Sequence, residues 1–362
     1  MTSAKRILIL GYYGFSNVGD EAVLSAIIEG LRAQVGDGIE ITVLSSRPEE
    51  TANLHKVRAV PRAGVSVIRA LQDTDLVISG GGSLIQDATS FRSLAYYLWV
   101  IALAKFYRRK VMILGQGIGP LRRSASRRLA GAVLNRIDLI TVRDAGSAEL
   151  LRELGVSRPP VQVTADPTFL LRPCPEEEAI SLLAEAGLGP EDGVIAFSLR
   201  PWREAPGMED AAIEALRQLK DALPAKALLV AMQSPEDETL VRKVGVMAGV
   251  LVQPRAWTAE QLLGVLARCR LVVAMRLHAL IFASAVGVPS LGIIYDPKVE
   301  QFVAATGQEG ITLEEVASGG LAERVTAAWN VRDELAARLA ERVPAMRKAA
   351  AENFRLAGDL LV

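Results

Sequence analysis

Charged side chains interrupt two apolar stretches of the chain. Arg276 and His278 lie in VVAMRLHAL, and this histidine is one of only two in 362 residues. Arg143 ends another apolar run, in TVRDAGS. A buried charge without a partner is costly, so each cation has a counter-charge or faces a ligand. A guanidinium holds an oxyanion through two N–H groups, and a histidine exchanges protons near neutral pH. The pattern indicates a site that binds an anion and moves a proton.

Three further polar side chains end strand-like runs. Arg200 follows VIAFSL, Asp166 follows VQVTA, and Lys298 ends GIIYDPK. Arg143 has two possible partners, Asp144 and Asp166, or it faces an anionic ligand. A lysine taken alone is more often a solvated surface residue, and a lone histidine in an apolar run is more often a core residue. Their shared position after strands favours function here, because ligands of open parallel sheets bind at the carboxyl ends of strands.

Three glycine-rich segments also follow strand-like runs: GYYGFSNVGDEAVL (11–24), SGGGSLIQD (79–87) and GQGIGPL (115–121). Glycine lets a backbone turn tightly and approach a ligand closely. The first segment opens a helix, whose N-terminus favours anions such as a diphosphate. None of the three is a dinucleotide fingerprint or a Walker loop, and plain βα turns are the alternative. The candidate binding residues in these segments are Gly14, Asn17, Gly19, Asp20, Gly81, Gly82, Ser83 and Gln116, and Gln86 and Asp87 add further hydrogen-bonding groups for sugar hydroxyls.

Composition excludes several classes of protein. Half of the residues are hydrophobic, and 41 basic residues balance 41 acidic ones, so nothing global indicates nucleic acid or a polybasic membrane tether. Cys174 and Cys269 fit no metal or disulfide pattern, which favours a reducing cytoplasm and metal independence. The start, MTSAKRILILG, is typical of a first strand rather than of a signal peptide.

Short apolar runs alternate with helical patterns along the whole chain. This alternation predicts βαβ units and parallel sheets covered on both faces. The predicted strands are 6–10, 40–46, 75–79, 111–115, 138–143, 161–165, 194–199, 227–232, 250–253, 270–275 and 290–295.

The chain is long enough for two domains. A stretch rich in proline and acidic residues, 172–192, marks the expected boundary. We predict an α/β fold of two Rossmann-like, doubly wound domains facing a cleft: an N-terminal acceptor-binding domain (1–175), a C-terminal donor-binding domain (188–325), and a helical tail (326–362) that packs back on the first.

Two more segments carry expectations. The eleven apolar residues Leu94–Ala104 are too few for a membrane span, which needs about 20. They indicate a buried helix, with an aromatic patch at a bilayer surface as the alternative. His55 stands among polar residues and is expected to be exposed.

The motifs together resemble the polysaccharide pyruvyl transferase family. The resemblance rests on GYYGFSNVGDEAVL, SGGGSLIQD, TVRDAGS and RLHALIFASAVGVPSLGIIYDPK, and spans residues 7–305. The pattern is most similar to members that modify the secondary cell-wall polymer to which S-layer proteins attach. It implies a GT-B-like fold and assigns the family's key basic residues to Arg143, His278 and Lys298.

The resemblance also implies a reaction. Phosphoenolpyruvate gives its pyruvyl group to two hydroxyls of a sugar, expected to be β-N-acetylmannosamine in a lipid-diphosphate-linked disaccharide, as a cyclic ketal. His278 would handle a proton, while Arg143, Lys298 and also Arg276 or Arg200 would hold phosphoenolpyruvate. No cofactor besides this co-substrate and no nucleic acid is expected. The expected location is the cytoplasm, with peripheral contact to the inner face of the membrane and a homo-oligomer both left open.

The sequence leaves two rival functions open. A GT-B glycosyltransferase or epimerase would share the fold and would bind a nucleotide sugar instead of phosphoenolpyruvate. A glycan-binding protein on the same fold would bind the acceptor without releasing phosphate.

Overall fold

The computed structural model describes residues 4–36, 38–201 and 207–361. The chain divides into two compact units. The first contains the chain up to Leu171 together with the segment from Met346 onward, and the second is Arg172–Ala345.

The first unit is built on a parallel sheet. Its strands are β1 (Lys5–Leu10), β2 (Ile39–Ser45), β3 (Arg58–Pro61), β4 (Leu76–Gly80), β5 (Lys110–Gln116), β6 (Leu139–Val142) and β7 (Val161–Val163). They are ordered β3-β2-β1-β4-β5-β6-β7. The order reverses between β1 and β4, and in such sheets the reversal point is where ligands bind.

Helices cover both faces of this sheet. They are α1 (Val18–Val35), α2 (Pro48–His55), α3 (Val65–Gln72), α4 (Phe91–Phe106), α5 (Ser124–Leu134) and α6 (Ala145–Glu153). Successive strand residues point to opposite faces, so Leu8 and Leu10 pack with α3, α4, α5 and α6, while Ile7 and Ile9 pack with α1. Both faces are therefore apolar, as the uninterrupted strand sequences predict.

The second unit repeats this design. Its strands are β8 (Val194–Ser198), β9 (Lys226–Leu229), β10 (Leu251–Val252), β11 (Leu271–Ala274), β12 (Ser290–Ile294) and β13 (Glu309–Thr312), in the parallel order β10-β9-β8-β11-β12-β13. Its helices are α7 (Glu176–Glu185), α8 (Met208–Ala222), α9 (Glu236–Ala248), α10 (Ala259–Ala267), α11 (Leu277–Ala285), α12 (Pro297–Thr306), α13 (Leu313–Ala317) and α14 (Leu321–Asn330). The reversal lies between β8 and β11.

The predicted strands are present, and two more were missed. β3 and β13 are the four-residue edge strands RAVP and EGIT. An edge strand needs little apolar sequence and tolerates proline, so neither gave a hydrophobic signal.

The stretch 172–192 is folded. It contains α7, whose buried residues Ala179, Leu182 and Leu183 pack it in the second unit beside α10. The division between the units falls at the start of this stretch, after Leu171.

The chain ends in one long helix, α15 (Arg332–Leu361). The helix continues through Pro344. A proline inside a helix removes one backbone hydrogen bond, and here it stands one residue before the point where the two units divide. Beyond that point, Phe354 and Ala357 pack against the core on the α1 face of the first unit.

Candidate active site

Parallel strands bring the predicted cations of the second unit to one edge of its sheet. Arg200 follows β8, Arg276 follows β11 and Lys298 follows β12, and these three strands are neighbours. The ring of Tyr295 joins two of the cations. The Arg200 guanidinium lies 5.2 Å and the Lys298 ammonium 5.7 Å from the ring centroid. Arg200 also donates a hydrogen bond of 3.3 Å to the Tyr295 hydroxyl. We call Arg200, Arg276, Tyr295 and Lys298 the Tyr295 cluster.

Asp296 fixes the place of Lys298. Its carboxylate caps α12 by accepting from the Lys298 N–H at 3.0 Å, and the Lys298 ammonium lies 3.3 Å from the same side chain. The lysine side chain is 32% exposed, so it remains within reach of solvent and of a ligand.

Arg276 forms an ion pair with Asp237. Its Nε donates to Asp237 at 2.8 Å, its Nη2 reaches the second oxygen of that carboxylate, and Nη2 also donates to Gln233 at 3.1 Å. Asp237 is fully buried and sits in the first turn of α9. Arg276 and Asp237 are 39 positions apart, and no sequence pattern predicts that they pair. The Arg276 side chain is thus held in place, and the Asp237 carboxylate balances much of its charge.

His278 is the second residue of α11, and Arg276 is the residue just before that helix. The imidazole is partly buried and its ring centre lies 6.2 Å from that of Phe282. A histidine at this position can exchange a proton with a bound hydroxyl.

Arg143 is the centre of the corresponding edge in the first unit. Its side chain is only 7% exposed and donates to Asp166 at 2.8 Å. Asp144 lies 3.9 Å away on the other side, and Nη2 reaches the Ser83 hydroxyl at 3.4 Å. Of the alternatives for Arg143, the structure shows a buried pair with Asp166. We call Ser83, Arg143, Asp144 and Asp166 the Arg143 cluster.

The second and third glycine-rich segments hold this cluster together. Gln116 donates its side-chain N–H to the Gly81 carbonyl at 3.3 Å, and Gly117 donates its backbone N–H to Gly82 at 3.1 Å. A methyl group on Gly117 would stand 2.7 Å from the Ser83 hydroxyl and 3.0 Å from Arg143 Nη2. Glycine is needed there because the Ser83 hydroxyl and the Arg143 guanidinium lie too close to the backbone for a side chain.

The first glycine-rich segment meets the second across the reversal point between β1 and β4. Asp20 lies so close to Gly82 that an added methyl group would be 2.8 Å from its carboxylate. Tyr13 is fully buried and donates to the Gly80 carbonyl at 2.7 Å. Burial, together with Asp20 and Glu21, raises the pKa of the Tyr13 hydroxyl well above its ordinary value. Tyr13 therefore keeps its proton and links the two segments through this hydrogen bond.

The same segment is poorly suited to an anion. Asn17 caps α1 by accepting from the N–H groups of Gly19 and Asp20, and Glu21 accepts from the Gly14 N–H at 2.8 Å. These backbone donors are engaged within the protein, and two carboxylates stand beside them. The arrangement favours sugar hydroxyls over the diphosphate that the helix N-terminus suggested.

His55 is buried, and the expectation that it would be exposed is wrong. Its side chain is 3% exposed, with Nε2 2.9 Å from Glu21 and Nδ1 3.3 Å from the Ser25 hydroxyl. Its polar neighbours in sequence belong to the exposed side of α2, and the histidine lies at the last, inward position of that helix. His55 thus supports the first glycine-rich segment through Glu21.

Asp87 also has a structural role that the sequence did not indicate. It accepts from the backbone N–H groups of Arg122 and Arg123 at 2.7 and 3.0 Å, and so ties the second segment to the start of α5. Gln86 bonds to Thr89 within its own loop. The Asp87 carboxylate and the Gln86 amide thus bond within the protein, although their position suggested that they bind a sugar.

An aromatic group beside the first segment was missed. The guanidinium of Arg62 lies 5.0 Å from the ring of Phe15, 4.3 Å from Tyr96 and 5.5 Å from Tyr97. Phe15 in turn stacks on Tyr12 at 4.1 Å. Tyr12 and Phe15 of GYYGF were the signal in the sequence, but the cation that they meet comes from a separate loop. This group joins the segment to α4.

The two clusters differ in charge. Around Arg143, two carboxylates of the cluster and the nearby Asp20 outnumber one guanidinium. Around Tyr295, three cations face the carboxylates of Asp237 and Asp296. Within the described residues, no group of His, Cys, Asp and Glu has the arrangement of a metal site.

The two parallel sheets define a GT-B-like α/β fold, which is shared with solved structures that include a glycosyltransferase from Rickettsia africae and a putative nucleotide-sugar epimerase. Residues 17–297 match the model of the family described as polysaccharide pyruvyl transferase. The match covers well over half of the chain, and the protein belongs to that family. The resemblance inferred from its motifs is confirmed.

Known proteins agree with this assignment at the level of family and fold. The amylovoran biosynthesis protein AmsJ of Erwinia amylovora is 22% identical, over 81% of this chain and 84% of that protein. The Anabaena protein HepE, solved with UDP and glucose, has a TM-score of 0.64 at 16% identity, with 99% of each chain covered. A putative UDP-N-acetylglucosamine 2-epimerase from Listeria monocytogenes has a TM-score of 0.66 at 13% identity, covering 96% of this chain and 94% of that one.

Proposed function

We propose that the protein transfers the pyruvyl group of phosphoenolpyruvate to two hydroxyls of one sugar in a polysaccharide precursor. One sugar hydroxyl loses its proton as its oxygen bonds to C2 of phosphoenolpyruvate, and C3 gains a proton in exchange and becomes a methyl group. The second hydroxyl then bonds to C2 as the C2–O bond to phosphate breaks, and its proton leaves with the phosphate. The products are a cyclic ketal and inorganic phosphate.

The charge difference between the clusters supports this division of labour. Phosphoenolpyruvate carries a phosphate and a carboxylate, so it suits the Tyr295 cluster, where cations are in excess. A sugar is neutral and needs hydrogen-bond acceptors as well as donors, which the Arg143 cluster and Asp20 offer. The second unit would bind the donor and the first the acceptor.

Each predicted residue then has a role within this proposal. Lys298 and Arg200 would bind the anionic groups of the donor, and Arg276 would shape their pocket while paired with Asp237. His278 would take a hydroxyl proton. Arg143, held by Asp166, would act as an oriented hydrogen-bond donor rather than as a free charge.

The finer features of the acceptor follow from the family resemblance. We propose β-N-acetylmannosamine within a disaccharide on a lipid diphosphate, as in the secondary cell-wall polymer that anchors S-layers. A lipid-linked acceptor would place the enzyme at the cytoplasmic face of the membrane.

The first test is release of phosphate from phosphoenolpyruvate with and without a synthetic diphosphate-linked N-acetylmannosamine disaccharide. Wild-type protein should release phosphate only with acceptor. His278→Ala should lower kcat by about 10² to 10⁴, the usual contribution of a general acid or base. Lys298→Ala should mainly raise the KM for phosphoenolpyruvate. The control is Lys243→Ala, which changes a lysine paired with Glu209 on the surface of the same unit. It should leave both kcat and this KM unchanged.

Two outcomes would redirect the assignment. Normal turnover by His278→Ala at saturating donor would remove the proposed role of the histidine. If wild-type protein binds the acceptor but releases no phosphate, a UDP-sugar should be tried as donor, since HepE shares the fold and was solved with UDP-glucose. Acceptor binding with neither donor active would favour a glycan-binding protein.

A further inference from the structure

Helix α4 is apolar on every side, yet one of its faces is exposed. Its sequence, FRSLAYYLWVIALAKF, buries Leu94, Tyr97, Leu98, Val100, Ile101 and Ala104 in the first unit. On the outside, Phe91 is 36% exposed, Trp99 45% and Phe106 76%. Together with Ala95 and Ala102, these positions recur every three or four residues and form one stripe, which we call the α4 stripe. A helix that is apolar all round is normally covered on all sides.

The surface around the α4 stripe is strongly basic. From residue 88 to residue 137 the chain has ten Lys and Arg and no Asp or Glu, and from 51 to 72 it has four more cations and again no acid. These ranges contain α3, α4 and α5, which pack on the same face of the first sheet. The whole chain is neutral, so this charge is local.

Few of these cations are neutralised. In the ten-cation segment, Lys105 pairs with Asp138 at 2.7 Å and Arg127 pairs with Glu153 at 2.9 Å. Among the residues that the structure describes, no carboxylate lies within 4.0 Å of the other eight. Arg92 and Arg128, on α4 and α5, are both exposed.

The α4 stripe is connected to the proposed acceptor site. Tyr96, on the same helix, holds Arg62 against Phe15 of the first glycine-rich segment. Trp99 lies less than one turn further along α4, and its ring centroid is 6.4 Å from that of Tyr96. A sugar at that segment would therefore have the apolar stripe and the cations beside it.

We propose that the α4 stripe and the surrounding cations form a docking surface for a bilayer with anionic headgroups, on which α4 lies parallel to the membrane. α4 is about 24 Å long, and none of the described helices is long and apolar enough to cross a membrane. A helix with exposed aromatics and flanking cations binds at the headgroup boundary. The choice of a bilayer rests on the proposed function, in which the acceptor is lipid-linked. A second copy of the chain fits less well, because two such surfaces repel each other.

The test is sedimentation of the full-length protein with vesicles, without phosphoenolpyruvate or acceptor. Wild-type protein should bind vesicles of phosphatidylethanolamine and phosphatidylglycerol, and bind phosphatidylcholine much more weakly. Trp99→Ser with Phe106→Ser should weaken binding at least about tenfold, since two exposed aromatics lose their burial in lipid. Arg92→Gln and Arg128→Gln should each weaken it about fivefold, and added salt should do the same.

Matched controls come from the second unit. Val246→Ser with Met247→Ser removes exposed apolar residues of α9, and Arg270→Gln removes an exposed cation, so neither should change vesicle binding. Absence of wild-type binding to anionic vesicles would overturn the proposal, as would unchanged binding by the Trp99/Phe106 variant. Binding to an RNA oligonucleotide or self-association in place of vesicle binding would assign the surface to another partner.

This test is independent of the activity. Phosphate release measured with a short-chain, water-soluble acceptor reports only on the proposed reaction. Vesicle binding without phosphate release would leave the docking surface standing and reject the reaction, and the reverse result would reject the surface alone.

Discussion

At the scale of single residues, the two partly hidden histidines of this protein have different tasks. His278 stands at a sheet edge whose neighbouring strand ends carry cations, and His55 lies buried behind the first glycine-rich segment. His55 contacts Glu21, and Glu21 accepts from the Gly14 N–H. It can therefore act on the segment through Glu21 without touching a substrate.

Replacing His55 should affect the acceptor selectively. We expect His55→Ala to raise the KM for the acceptor about tenfold, because a hydrogen bond to a charged group contributes roughly 1.5–3 kcal/mol. His55→Gln, which keeps an N–H near Glu21, should restore part of the loss. The KM for phosphoenolpyruvate should stay constant in steady-state kinetics.

The control is Asn53→Ala on the exposed side of α2, which should leave both constants unchanged. Equal increases in both KM values, with a lower melting temperature, would show that His55 only stabilises the fold.

At the scale of elements, the loops after β4 and β5 act as one unit because their backbones bond to each other. Gly117 allows the Arg143 side chain to lie against that joint. We expect Gly117→Ala to displace the guanidinium and to lower kcat/KM about 10²-fold, as displacements near 1 Å do in other active sites. Kinetics of phosphate release would measure this.

Gly38→Ala is the control and should leave kcat/KM unchanged, since nothing lies within 4 Å of the added methyl group. Full activity in Gly117→Ala would show that the position of Arg143 is not critical.

Asp87 makes the stability that these loops contribute depend on pH. Burial tends to raise the pKa of Asp87, but hydrogen bonds from Arg122 and Arg123 outweigh it and lower the pKa below its ordinary value. Since the folded-state pKa is the lower one, the stabilisation is present above the ordinary value and is lost as the pH falls through the folded-state pKa.

Asp87→Asn should therefore lower the free energy of unfolding by about 1–3 kcal/mol at pH 7, and the gap to wild type should close below about pH 4. Urea unfolding at several pH values would measure both. Asp73→Asn, which changes a carboxylate that is 73% exposed, should show little effect at any pH. A constant gap across the range would contradict the proposed hydrogen bonds.

Sequence patterns predicted the elements that are buried and repetitive, and missed those fixed by distant partners. The strand-like apolar runs gave the core strands of both sheets, while the polar edge strands β3 and β13 gave no signal. Arg143 and His278 could be placed at strand ends because a charge in an apolar run stands out. The partners of such residues could not be predicted. Asp237 meets Arg276, for example, only because β9 and β11 flank β8 in the folded sheet.

At the scale of the whole molecule, the last segment of the chain belongs to the first unit. Asn353 is fully buried, accepts from the hydroxyls of Thr141 and Thr164 at 2.6 and 2.8 Å, and donates to the Ala165 carbonyl at 3.0 Å. We expect Asn353→Ala to lower the free energy of unfolding by about 2–3 kcal/mol, because it leaves buried hydroxyls without this partner.

Chemical denaturation would measure this loss. Arg355→Ala on the exposed side of the same helix should leave stability nearly unchanged, since its ion pairs with Glu352 and Asp359 lie on the surface. A loss below about 0.5 kcal/mol for Asn353→Ala would show that α15 contributes little to the first unit.

The placement of α15 has a consequence for biosynthesis. The residues that complete the core beside α1 are translated about 190 positions after Leu171. At typical elongation rates of about 5–20 residues per second, a nascent first unit waits roughly 10–40 s on the ribosome without its final helix. During that interval the apolar surface that receives Phe354 and Ala357 is open, and chaperones that bind nascent chains would find it there.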